Sequence, residues 1–121
     1  MKPIAYITQE TIDLLGLSCT ANTPIYLGQS NIEHMKNRHL QDYQKYHEHI
    51  VLILSAPQYI GLNPSDQSIE YVREFQIDTA EYVKVAVRIS LSGRYYARSL
   101  YVLNSNRVRN FIQKGILKSL T

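Results

Sequence analysis

A chain of 121 residues has the length of one compact domain, and 45% hydrophobic against 19% charged residues fits a soluble globule rather than a disordered chain. The longest apolar run, Ile50 to Leu54, is five residues where about 20 are needed to cross a bilayer. Met1-Lys2-Pro3 leads into no apolar segment, so no signal peptide is expected, and the lone Cys19 permits no internal disulfide and fits a reducing cytosol. A membrane protein, a disulfide mini-domain, a cysteine-cluster zinc module and a multidomain enzyme are thereby set aside.

Thr8 predicts the N-cap of a short helix through Leu15, stopped by Gly16. Residues 17–24 read as a loop closed by Pro24, and Ile25 to Gly28 as at most a short extended piece. Ser30 followed by Glu33 has the spacing of a capping box, predicting a helix from Asn31 to about His39. A second helix is expected from Gln41 or Asp42 through Leu54, on the apolar stripe Tyr43, Tyr46, Ile50, Ile53 and Leu54. Pro57 stops it, and Asn63-Pro64-Ser65-Asp66 is a turn signal. The period then shortens to two, and residues 69–77, 82–91 and 95–103 read as strands. Ser92-Gly93 predicts a tight hairpin between the last two. Asn104 or Ser105 caps a final helix to Lys114, ended by Gly115. The expected fold is α+β in a single domain spanning 1–121, with N-terminal helices packed on one face of an antiparallel meander of three to four strands and a C-terminal helix.

The net charge of +3 conceals a polar division. Residues 1–80 hold five Lys/Arg against nine Asp/Glu, a net −4, while residues 81–121 hold eight against Glu81 alone, a net +7. Such asymmetry builds a positive surface suited to phosphate. Ten tyrosines accompany two phenylalanines and no tryptophan, and tyrosine suits a half-wet surface or a base-stacking platform. A two-residue turn at Ser92-Gly93 pairs Leu91 with Arg94. Val83, Val85, Val87 and Ile89 then face the core, opposite Val102, Leu100, Arg98 and Tyr96. The other face carries Lys84, Ala86, Arg88 and Ser90 beside Tyr101, Ser99, Ala97 and Tyr95. Cations of one sign, tyrosines and small residues on one face read as a phosphate-binding groove, with an exposed sheet face of no particular role or a dimer contact as the alternatives.

All four histidines lie between residues 34 and 49. His34 and Arg38 share a helix face, His39 follows where the chain turns, and His47 and His49 flank Glu48. Imidazole is suited to acid–base work near neutral pH. A zinc site from His34, His39 and His47 or His49 is the weaker reading, since no HExxH spacing exists and the one cysteine has no partner. No GxSxG elbow, P-loop or dinucleotide fingerprint is present. The chemistry that fits His, Arg, Lys, Ser and Tyr without carboxylate clusters is RNA cleavage by the RNA's own 2′-hydroxyl. It needs a base for the 2′-proton, cations for the phosphorane charge and an acid at the 5′-oxygen.

The segments NIEHMKNRH (Asn31–His39), AP-x-YIG (Ala56–Gly61), VKVAVRIS and GRYYARSLYVLN, in this order, resemble the phage-borne branch of the barnase–EndoU–colicin–RelE superfamily of nucleases over about residues 25–118. The resemblance implies a metal-independent ribonuclease without cofactor, with its active site on the open sheet face. It also implies a toxin or phage effector in the cytoplasm of a bacterial host, with RNA and an antitoxin, immunity or host protein as partners and no membrane. It places His34 and His39 as helical histidines, Arg98 and Ser99 as late-strand basic and hydroxyl residues, and Lys84 and Arg88 as middle-strand cations. His39 or His34 is then base or acid, Arg88 and Lys84 the transition-state cations, Ser99 and Tyr101 supporting donors. Tyr95 and Tyr96 stack or line the groove with Arg38 nearby. The simple register sets Arg98 on the core face, so it reaches the groove only from a sheet end or a bulge. The rival to catalysis is a non-enzymatic phage protein that binds nucleic acid or a host protein on the same basic, tyrosine-lined face.

Overall fold

The computed structural model describes residues 1–120. Its spine is a seven-stranded sheet in the order β1-β2-β6-β5-β4-β3-β7. The strands are β1 (Ala5–Ile7), β2 (Thr23–Tyr26), β3 (Tyr59–Leu62), β4 (Ile69–Gln76), β5 (Ala80–Ile89), β6 (Tyr95–Leu103) and β7 (Leu117–Ser119). The helices are α1 (Gln9–Leu15), α2 (Gln29–Arg38), α3 (Leu40–Tyr46), α4 (Ile50–Ser55) and α5 (Ser105–Gln113). The fold is α+β, but the expected meander of three to four antiparallel strands is too narrow and its sheet too uniform. β4, β5 and β6 form that antiparallel centre. Around it are β1, β2, β3 and β7, of three or four residues each, too short to carry a readable alternation. The sheet is mixed because β2 runs parallel to β6, pairing Ile25 with Tyr95 and Tyr26 with Tyr96.

Local chemistry explains the helix ends. The Thr8 hydroxyl accepts the Thr11 amide at 3.2 Å, and Gly16 turns left-handed at φ 66° to end α1. At α2 the expected Ser30–Glu33 box is displaced. Gly28 is the N-cap, its amide donating to Asn31 Oδ1 at 2.9 Å, so Ser30 lies inside the helix. The single helix expected to Leu54 is broken by a 3₁₀ turn at His47–His49 between α3 and α4. The break still leaves Tyr46, Ile50, Ile53 and Leu54 buried. Asn104 caps α5, accepting from the amides of Asn106 and Arg107.

The sheet divides two cores. On one face Val83, Val85, Val87, Ile69, Tyr71 and Leu100 pack against Met35, Tyr46, Ile53 and Leu54. On the other, α5 closes only one end, where Val108 and Phe111 meet Val72, Tyr82 and Leu103. At that margin Gly61 lets β7 come close, since a Cβ there would sit 2.7 Å from the Ile116 carbonyl oxygen. The rest of this second face is left open.

The β5–β6 register makes that open face. Residues pair as expected from Val83–Val102 to Ala86–Ser99, but Val87 then meets Ala97, Arg88 meets Tyr96 and Ile89 meets Tyr95. The shift leaves Arg98 as the extra residue of a β-bulge. Its origin is the turn: Ser90 accepts from Gly93, which sits at φ 90°, and pairs with Arg94. A loop of three residues with a left-handed glycine therefore replaces the expected two-residue one. Beyond the bulge the faces exchange. Ala97 and Tyr95, expected in the groove, turn to the core, while Tyr96 comes to the open face opposite Arg88.

Candidate functional site

The site lies where α2 passes the edge of β6. Because β2 covers only Tyr95 and Tyr96, the amides further along β6 need other partners. Asp42 of α3 supplies one, its Oδ2 accepting the Val102 amide at 3.0 Å. With Met35 fully buried beneath α2, this contact fixes the elbow between α2 and α3. His39 is the elbow residue, and its ring stacks on Tyr101 with centroids 4.8 Å apart and planes 28° from parallel.

Tyr101 also floors the cation side. Lys84 Nζ stands 4.6 Å from the Tyr101 ring centroid and 2.8 Å from Glu70 Oε2. Burial alone would lower the pKa of the Lys84 ammonium, but the Glu70 carboxylate and the Tyr101 hydroxyl outweigh it and hold it above its ordinary value. Lys84, itself only 8% exposed, is thus a fixed positive charge. Two positions further along the same face of β5, Arg88 Nη1 lies 3.5 Å from Asp66 Oδ2. The backbone amide of Ser68, bonded to Asp66, holds that carboxyl below its usual range with help from Arg88 and Lys84.

A hollow of about 210 Å³ gathers these groups: His34, Glu70, Lys84, Arg88, Arg98, Ser99 and Tyr101 all line it. A second hollow of about 370 Å³, lined by Gln29, Ser30, Arg88, Tyr96 and Arg98, continues the groove past the start of α2. The bulge is what puts Arg98 in both. Arg98 forms no ion pair among the described residues, which leaves its guanidinium for an outside anion. Arg38 is exposed in the last turn of α2, one turn after His34 on the same face.

The four histidines separate across the molecule. His34 lines the smaller hollow, and His39 stands beside it on Tyr101. His47 stacks on Tyr43 at 5.0 Å, and His49 packs by Phe75 at 5.1 Å, a residue of the helix-covered core. On that side Lys45 and the Tyr46 hydroxyl both bind Glu81 Oε1, at 2.7 and 2.6 Å, stapling α3 to β5. Tyr95, which the simple register put in the groove, instead lies against the core, where burial and the neighbouring Cys19 push up its pKa.

Glu70 and Asp66 are the groove residues that sequence reasoning missed. They arrive from β4 and the turn before it, in the acidic half of the chain. The register Val72–Lys84, Glu70–Ala86 would have located Glu70 diagonal to Lys84. But Ile77-Asp78-Thr79, the link between the two strands, carries no turn residues that fix a register. Among the described residues no cluster of three or more His, Cys, Asp or Glu is placed to hold a metal ion, and no helix is long and apolar enough to cross a membrane.

The arrangement offers the His34 imidazole in one hollow with Lys84, Arg88, Arg98 and the Ser99 and Tyr101 hydroxyls, and the His39 imidazole stacked on Tyr101. That combination can bind a phosphodiester and move protons on either side of it. A family model described as phage-Barnase-EndoU-ColicinE5/D-RelE like nuclease3 matches residues 2–110, nearly the whole chain. No curated protein and no solved structure matches.

Proposed function

The chain belongs to the phage-Barnase-EndoU-ColicinE5/D-RelE like nuclease3 family, and on that premise we propose that it is a metal-independent endoribonuclease. The observation that supports this reading is that His34 lines one hollow with Lys84, Arg88 and Arg98, while His39 stacks on Tyr101, which lines the same hollow. The RNA backbone enters along the groove past Tyr96 and Arg38, its phosphates drawn by the +7 half of the chain. The scissile phosphate sits over Ser99, between Arg98 and Arg88.

One imidazole takes the proton of the 2′-hydroxyl, whose oxygen attacks the phosphorus. The other protonates the departing 5′-oxygen. The products are a 2′,3′-cyclic phosphate and a free 5′-hydroxyl, so atoms balance without a water in this step. Lys84, Arg88 and Arg98 meet the charge that builds on the non-bridging oxygens. Ser99 and Tyr101 donate hydrogen bonds, and Tyr101 also holds the His39 ring in position through their stack. Glu70 keeps Lys84 aimed and dehydrated.

The test is cleavage of a single-stranded RNA by the purified chain at low salt in EDTA, with the product ends identified. Cyclic phosphate ends that vanish with His39→Ala or His34→Ala support the reading. RNA that is bound with steep salt dependence and left whole would favour the non-enzymatic rival instead.

A further inference from the structure

A cavity of about 710 Å³ lies beside the catalytic hollow. It opens between the β3–β4 turn and α5, and its volume lies within the roughly 300–1,000 Å³ typical of small-ligand sites. Its walls are apolar, with Leu14, Leu62, Leu103 and Phe111 among them. Its inner end is polar. Asn63, Glu70, Lys84 and Tyr101 line both this cavity and the hollow that holds His34 and Arg98, so the two spaces meet. At its margin stand two more cations, Arg107 and Lys118, the Arg107 guanidinium 5.6 Å from the Phe111 ring centroid.

We infer that this cavity receives the nucleobase next to the cleaved phosphodiester and that Asn63 selects it. The inference rests on the ribonuclease reading above. A purely apolar occupant would offer nothing to the Asn63 amide protons at the polar inner end, whereas a base has a flat apolar body and a polar edge, and is held by aromatic stacking and edge hydrogen bonds. The flanking cations suit a chain that carries a phosphate on both sides of that base. Asn63 Oδ1 is engaged, accepting the Ser65 amide at 2.9 Å, while its amide protons have no partner among the described residues. Aimed at the purine C6 or pyrimidine C4 substituent, a donor there favours the oxo group of guanine and uracil over the amino group of adenine and cytosine.

Mapping of cut sites in a mixed-sequence RNA reads this directly. The wild-type chain is expected to prefer an oxo base beside the cut by about tenfold in kcat/KM, the order of one good base contact. Asn63→Asp keeps the acceptor for the Ser65 amide but replaces the donor, and should erase or invert the preference. Phe111→Leu keeps apolar volume under α5 and should weaken cleavage for all bases alike through KM. Cutting with no base preference, or with the wild-type preference intact in Asn63→Asp, overturns the inference and leaves the nuclease reading standing. An absence of cutting by the wild-type chain overturns both.

Discussion

Lys84 has two possible duties, to balance Glu70 inside the protein or to meet the phosphate, and a pair of variants separates them. The ammonium and the carboxylate lie 2.8 Å apart with 11% and 15% of their side chains exposed. Lys84→Met leaves Glu70 nearly buried without its partner. Breaking a fully buried pair this way costs about 3–5 kcal/mol. Both groups border open hollows that admit water to the orphaned carboxylate, so about 2–3 kcal/mol is expected. With an unfolding entropy of roughly 0.25 kcal/mol/K for a chain of this size, Tm should fall by about 8–12 °C. Adding Glu70→Gln removes the stranded charge and should return the protein to within about 1 kcal/mol of wild type. RNA cleavage should not return with it. Loss of one fixed donor to a developing oxyanion costs about 10²–10³ in kcat, and the double variant lacks that donor as fully as the single one. Thermal denaturation and single-turnover cleavage of both variants decide the matter. A double variant that regains stability and activity together would show that Lys84 only props up Glu70, and the assignment of Lys84 to the phosphate would be withdrawn.

Other consequences are equally open to measurement. His39→Ala and His34→Ala should each lower kcat by about 10²–10⁴ with little change in Tm, since both residues are exposed, whereas His47→Ala should leave cleavage unchanged. Hydrogen bonds from Lys45 and then Tyr46 hold the Glu81 carboxyl below its ordinary value of 4.5, so its stabilising effect is complete above that pH and lost as pH falls through the depressed value. The Tm advantage of wild type over Glu81→Gln should accordingly be flat from pH 7 to about 5 and shrink below 4.5. Gly61→Ala forces a Cβ within 2.7 Å of the Ile116 carbonyl oxygen. It should cost about 1–3 kcal/mol in chemical denaturation, with faster amide exchange at Lys118 and Leu120, whose amides face β3, as β7 loosens.

How far the sequence carried depended on how local each signal was. Thr8, Gly16, Asn104 and Gly115 act within one turn of helix, and the ends they mark for α1 and α5 stand in the structure. The alternation of Val83, Val85 and Val87 likewise named the buried face of β5, but Ile89, expected beside them, is half exposed at the strand's end. Non-local choices escaped. Ser30–Glu33 met the spacing of a capping box, but Asn31 bonds the Gly28 amide first. The parallel placement of β2 beside β6 leaves no mark in four residues. The bulge at Arg98 depends on a hairpin one residue longer than the Ser92-Gly93 pair suggests. A one-residue slip of this kind reverses every side chain beyond it, which is why Tyr95 and Tyr96 changed places. The same slip brought Arg98 to the open face, where the family resemblance had asked for it and the simple register had refused it.

The central claim is spatial: imidazoles from α2 and cations from the β5–β6 hairpin address the same phosphodiester. Its most direct test is a titration of the four histidine ring signals by NMR with an RNA oligonucleotide made uncleavable by 2′-deoxy substitution. His34 and His39 should shift on binding, with the shifts lost in Arg98→Ala. His47 and His49, on the helix-covered side, should not move. Shifts confined to His47 and His49, or a bound oligonucleotide that disturbs none of the four, would contradict the account.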